Sequence, residues 1–268
     1  MKRCHTISVA LITKDEEANL RELLPQLVWA DEIVVVDSGS SDDTAKLARS
    51  FGCRVVVHPF DTFAQQRNRA IDLSTGDWVF SLDADERPRP RLVESMRQTI
   101  SRDDYAAYRI PIRSEILGRP VRWGGTQDDR PVRLFRRNMA RWHGDVHERL
   151  AVHGAIGQLS DWIDHRTLPT YAAFLEKIDR YTALEAAARV GRGHPPRLRD
   201  ALVGPPREVF RRLVYKHGWI DGFVGLQFAL LSGYSEWVLA RQHRHHWRAH
   251  RSNPRNSTAD TLALTPET

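Results

Sequence analysis

The run EIVVVD at residues 32–37 most constrains what this chain can become. A strand with one wet face alternates apolar and polar residues. A continuous β-branched run belongs to a strand buried on both faces, which is the situation in parallel sheets covered by helices on either side. The neighbouring segments fit that frame. Residues 7–12, 54–58 and 77–83 read as further strands, while 41–51 and 90–100 read as helices. Thr13 and Glu16 predict a capping box opening a helix to about residue 29. Asp61 or Thr62 is expected to cap a helix that stops before Gly76. Strands alternating with helices predict an α/β fold with a mostly parallel central sheet, helices on both faces, and ligands beyond the carboxyl ends of the strands.

The pattern changes further along. Residues 107–113, 132–136 and 148–153 are short strand-like pieces between Gly, Pro and charged loops. Beyond residue 169 the periodicity is helical, over 170–190, 197–216 and 221–244, with breaks at 191–196 and 204–206. The expected organisation is a domain over 1–168, made of halves 1–110 and 105–168. A helical region over 169–251 and a disordered tail over 252–268 follow.

Charge is distributed unevenly. The chain carries a net +6, yet residues 171–251 hold 14 Lys and Arg against 7 Asp and Glu, so the remainder is near neutral. A basic C-terminal third points to an anionic partner. Its longest uncharged run, 222–235, falls short of the roughly 17–25 residues that span a bilayer. Cations flank it, and Trp219, Phe223, Phe228, Tyr234, Trp237 and Trp247 are interleaved. Two readings fit: a helix lying on an anionic membrane surface, or an ordinary helix packed on the catalytic domain. Cys4 and Cys53 form no metal-type spacing, and the N-terminal apolar run is too short for a signal peptide. Both features predict a cytoplasmic protein, peripheral on the inner face of the membrane if the first reading holds.

Chemistry-bearing residues gather at strand ends. Asp37 precedes the small residues Ser38 to Ser41, where a carboxylate can meet a base N–H or a ribose hydroxyl; a helix-capping loop is the other reading. Asp83, Asp85 and Glu86 put three carboxylates in four positions, a repulsion that a divalent cation such as Mg2+ or Mn2+ would relieve. Arg67, on the helix before them, has the geometry to meet phosphate.

SVALITKDEEANL at 8–20, VVVDSGSSDDT at 34–44 and FAQQRNRAIDLSTGDWVFSLDADE at 63–86 together resemble the successive motifs of family 2 glycosyltransferases with the GT-A fold. VRLFRR at 132–137, VHE at 146–148 and GWIDGFVGLQFALL at 218–231 are similar to the subgroup containing lipopolysaccharide inner-core β-glucosyltransferases. The resemblance implies an inverting hexosyltransferase using a UDP-sugar donor, a divalent metal, and a glycan or lipid-linked acceptor. It implies that Ile12, Thr13 and Glu17 line the nucleotide pocket, Asp37 meets the base, Asp83 touches ribose or metal, and Asp85 is the main metal ligand. Arg133 would face the diphosphate or serve as a strand-edge arginine in a salt bridge, and His147 would meet the diphosphate, orient Glu148 or be a structural histidine. The family's acidic pair for the general base has no clear counterpart; Glu148 is the first candidate, with Asp128 or Asp129 second.

Two other classes compete. A nucleotidyltransferase would use a similar sheet, but the loop after the first strand has no glycine. A nucleic-acid-binding protein would explain the basic C-terminus but not the strand-end carboxylates, so no nucleic acid is expected.

Overall fold

The computed structural model describes residues 5–102, 104–116, 118–144, 148–168 and 170–252. Through the first 113 residues the chain runs β1 (Ile7–Thr13), α1 (Glu17–Leu23), a 3-10 turn (Leu24–Leu27), β2 (Glu32–Asp37), α2 (Thr44–Ser50), β3 (Arg54–Val57), α3 (Phe63–Leu73), β4 (Trp78–Ser81), β5 (Glu86–Pro88), α4 (Pro90–Ile100) and β6 (Ala107–Arg109). Then come β7 (Ile112–Ile116), β8 (Arg119–Val121), β9 (Val132–Arg136), β10 (Ala140–His143), β11 (Arg149–Val152), β12 (Ile156–Gln158) and β13 (Ile163–Leu168). The rest is helical: α5 (Tyr171–Gly191), α6 (Leu198–Leu202), α7 (Gly204–Phe210), a π turn (Arg211–Tyr215), a 3-10 turn (Gly218–Asp221) and α8 (Phe223–Ser252).

Two compact units result. The first comprises residues 1–113 and 128–166, the second 114–127 and 167–268. The expected boundary at 168 is close, but the β7–β8 hairpin groups with the helical region, because Ile116 and Val121 pack with Phe174, Ile178 and Val238 of α5 and α8.

A seven-stranded sheet, ordered β12-β6-β9-β4-β1-β2-β3, organises the first unit. β1 pairs in parallel with β2 and β4, and β2 with β3. β9 inserts antiparallel between β4 and β6, so the sheet is mixed on that side. Both faces are covered. Val9, Leu11, Val35 and Phe80 meet Leu20 and Leu23 of α1 and Leu92 and Met96 of α4. Ala10, Val34, Val36 and Val79 meet Ala70 and Ile71 of α3 on the other side. Consecutive residues thus alternate between two dry faces, which is why EIVVVD shows no alternation. Cys53 lies buried against the first of these clusters, and burial pushes its thiol pKa up to about 11.

Several local expectations need correcting. Thr13 ends β1 rather than capping α1; the cap position is Glu16, with no side-chain cap bond. Thr13 instead donates its hydroxyl to Asp37 Oδ2 at 3.0 Å. Pro25 tightens the end of the first helix into the 3-10 turn. Of the two cap candidates before α3, Thr62 accepts from Gln65 N at 3.2 Å. The predicted strand over 107–113 breaks into β6 and β7 around Pro111; the break expected at 204–206 falls between α6 and α7, and α7 runs on into the π turn. The tail expected over 252–268 lies outside the described residues beyond Ser252.

Candidate active site

Two loops leave the carboxyl ends of β1 and β2 and clasp each other. Asp15 Oδ1 accepts from the Ser41 N–H at 2.7 Å, and Asp15 N donates to Ser40 Oγ at 2.8 Å. Glu16 N donates to Thr44 Oγ1 at 2.8 Å. At the centre Asp37 accepts from the N–H groups of Gly39 and Ser40 at 3.1 and 2.9 Å, and from the Ser40 and Thr13 hydroxyls at 2.5 and 3.0 Å. Gly39 makes this turn with φ +79, a conformation that L side chains rarely adopt. Four hydrogen bonds fill a carboxylate's lone pairs, so here Asp37 organises the loop. Ile12 is partly buried beside it.

Glu17 donates its N–H to Asp42 Oδ2 at 3.1 Å, and its carboxylate pairs with Arg21 at 2.6 Å. Glu16 lies beside it, among the acids of this region. Burial raises its carboxyl above the ordinary value, Asn19 opposes this, and the negative charges of Asp85, Asp42 and Asp83 raise it further.

At the end of β4 the acidic run meets two arginines. Asp83 pairs through Oδ1 with Arg67 at 2.8 Å and through Oδ2 with Arg133 at 2.9 Å. Arg133 also reaches Glu86 at 2.5 Å, and Glu86 Oε2 accepts from the Asp83 N–H at 2.9 Å. Burial alone would raise the Asp83 carboxyl, but the Arg133 and Arg67 guanidiniums override it and hold it well below the usual range. Glu86 is fully buried, and that burial, opposed by Arg133, pushes its pKa up to about 7. Two guanidiniums thus already relieve part of the repulsion that a divalent cation was expected to offset.

Arg67 links this cluster to the candidate base. Its guanidinium stacks 5.0 Å from the Trp142 ring centre, and its Nε lies 3.8 Å from Glu148 Oε1. Asn68, the next residue on α3, fixes the arrangement by bonding Trp142 O and N at 2.8 and 2.9 Å. Asp128 is exposed. Asp129 is exposed too, near Arg133 and His165; desolvation by its surroundings raises its carboxyl against their pull. His147 lies outside the described residues.

Asp85 stands apart from the arginines. Its Oδ2 meets His165 Nε2 at 3.1 Å, and no donor among the described residues reaches its other oxygen. β13 brings His165 there, pairing antiparallel with β5 so that His165 sits opposite Glu86. Burial lowers the His165 pKa, but the bond to Asp85 and the surrounding carboxylates outweigh it and raise it overall. The described residues contain no cluster of three or more His, Cys, Asp or Glu suited to a metal. A site for Mg2+ or Mn2+ does not require one, because substrate phosphates commonly complete it. Asp85 and His165 fit such a site.

The strand order, the clasped loops and the acidic end of β4 define an α/β enzyme of the GT-A class. The sequence profile described as glycosyl transferase family 2 matches residues 8–155, and the chain belongs to that family. It is a glycosyltransferase, which sets aside the nucleotidyltransferase and nucleic-acid-binding alternatives. One relative is the lipopolysaccharide core biosynthesis glycosyltransferase LpsC of Rhizobium meliloti, 30% identical over 82% of this chain and 84% of that one. An uncharacterized glycosyltransferase of Rickettsia typhi is 34% identical over 40% of this chain and 38% of its own. Among solved structures, glucosyl-3-phosphoglycerate synthase from Mycobacterium tuberculosis, in complex with Mn2+, UDP and glucosyl-3-phosphoglycerate, is 23% identical. That match covers 50% of this chain and 57% of the other, with a TM-score of 0.38.

Proposed function

We propose that the protein transfers a hexose from a UDP-sugar to a hydroxyl of a lipopolysaccharide-core or other lipid-linked glycan, with inversion and in one displacement. The observation that carries this reading is the junction at the end of β4, where Asp85 and His165 lie beside the Arg67–Asp83–Arg133–Glu86 network. The family relationship and the name of the Rhizobium relative support the acceptor class.

Roles follow from position. Thr13, Ile12 and the Asp37 loop receive the nucleotide, with Asp37 accepting from the base once the Ser40 hydroxyl moves aside. Asp85 and His165 hold a divalent ion, and the imidazole nitrogen favours Mn2+ over Mg2+. When bound, that ion neutralises charge on the departing diphosphate. Asp83 acts as a clamp that keeps Arg67 and Arg133 in place at the diphosphate side. Glu148, set by Arg67 on Trp142, takes the proton of the acceptor hydroxyl as its oxygen bonds to the anomeric carbon and UDP leaves from the opposite face. Asp129 is the second candidate for this step.

The test is sugar transfer with UDP-hexoses and a lipopolysaccharide-core acceptor. Asp85→Ala is expected to lower kcat/KM about 100-fold or more. Glu148→Gln is expected to lower kcat with little change in the KM for the donor. Full transfer by Asp85→Ala would remove the metal role, and full transfer by Glu148→Gln would shift the base to Asp129.

A further inference from the structure

The C-terminal unit displays apolar side chains that its own core does not use. Phe210, Val214, Tyr215, Trp219, Ile220 and Phe223 are between 47 and 73% exposed. The core is built from other residues, Phe174, Ile178 and Val238 among them. Single exposed apolar residues need no explanation, but six large ones within one short stretch mark a surface meant to be covered.

The backbone that presents them is tightly built. His217 takes φ 57 and turns the chain into Gly218–Asp221. A Cβ on Gly225 would lie 1.8 Å from Gly218 O, so this helix start admits only glycine there. The Asp221 carboxylate accepts from the N–H groups of Arg122 and Trp123 at 2.9 and 2.7 Å. Trp219, Ile220 and Phe223 are thus held in water by a fixed turn.

The surroundings are cationic. Arg211 and Arg212 both bond Glu208, at 2.7 Å each, so two guanidiniums share one carboxylate and leave a positive excess. Arg207 is exposed on the same short helix. Across 197–223 six Arg and Lys stand against three acids. No helix of the described chain is long and apolar enough to cross a membrane.

We propose that this face seats on an anionic phospholipid bilayer. Trp219, Ile220 and Phe223 enter the boundary between headgroups and acyl chains, and Arg207 and Arg211 lie on lipid phosphates. Aromatic and aliphatic tips beside cations match the layering of that interface. A protein partner would have to supply matching acids and a shaped pocket. The inference rests on exposure and charge rather than on the reaction, so lipid binding and sugar transfer can fail separately.

The experiment is co-sedimentation of the full chain with vesicles of phosphatidylglycerol and phosphatidylethanolamine at low salt, with phosphatidylcholine vesicles alongside. Wild type is expected to pellet with the anionic vesicles and much less with the neutral ones. The triple variant Phe210→Ser, Trp219→Ser, Phe223→Ser is expected to bind at least about tenfold more weakly, with an unchanged Tm because these side chains are exposed. Brominated acyl chains are expected to quench tryptophan fluorescence in wild type and less in Trp219→Phe. Wild type remaining in the supernatant, or the triple variant pelleting equally, overturns the proposal. So does concentration-dependent dimerisation that the same substitutions abolish in a protein that ignores vesicles, since a second copy would then be the occupant.

Discussion

Arg133 shows how much of this site depends on one side chain. It is buried and touches both Asp83 and Glu86, and the Glu86 carboxylate is itself sealed from water. Removing one partner of a buried ion pair leaves uncompensated charge and costs about 3–5 kcal/mol. Arg133→Met is expected to lower unfolding free energy by that amount in urea titrations, and Glu86→Gln added to it to recover part of the loss. No recovery would mean that Glu86 takes up a proton once Arg133 is gone. Strand-end position and residue type nominate Asp37, Asp83 and Asp85, and Arg67 follows from its place on the helix before them, whereas Arg133 and Glu148 enter only through the resemblance to family 2 glycosyltransferases. Glu16, His165 and Trp142 were not legible in the sequence as site residues. His165 reaches Asp85 only because β13 pairs with β5, and Trp142 reaches Arg67 only through Asn68. Neither pairing leaves a trace in local spacing. Glu16 rather than Thr13 occupies the cap position of α1, so the capping-box reading misplaced the start of that helix.

At the scale of elements, the strands of the first half follow from hydrophobic runs whose two faces are both dry, so β1 to β4 fall within a residue or two of expectation. Short elements such as β5 and β12 exist only through their partners. Glu32 illustrates how side chains stitch the elements together. Its carboxylate accepts from the Ser8 hydroxyl at 2.6 Å and the Thr75 N–H at 2.7 Å, joining β1, β2 and the turn before β4. Burial works to raise its pKa, but these bonds hold it below the ordinary 4.5. Because the folded value lies below the unfolded one, the stabilisation is complete above pH 4.5 and disappears as pH falls through the folded value. Wild type should therefore exceed Glu32→Gln in stability near neutral pH, with the two converging in acid. A stability difference independent of pH would show that the charge is not what matters.

For the molecule as a whole, helical periodicity located the C-terminal unit but could not show that residues 114–127 belong with it. That assignment depends on packing between segments far apart in sequence, Ile116 and Val121 with Val238. The basic third, read from composition as a sign of an anionic partner, becomes specific only once Trp219, Ile220 and Phe223 are seen to be exposed.

The central claim is that Asp85 and His165 complete a divalent-ion site together with a nucleotide diphosphate. Thermal unfolding with UDP and Mn2+, added singly and together, tests it most directly. The two together should raise Tm well beyond the sum of their separate effects in wild type, and the excess should vanish in Asp85→Ala. Equal stabilisation by UDP with and without Mn2+, or an undiminished joint effect in Asp85→Ala, would contradict it.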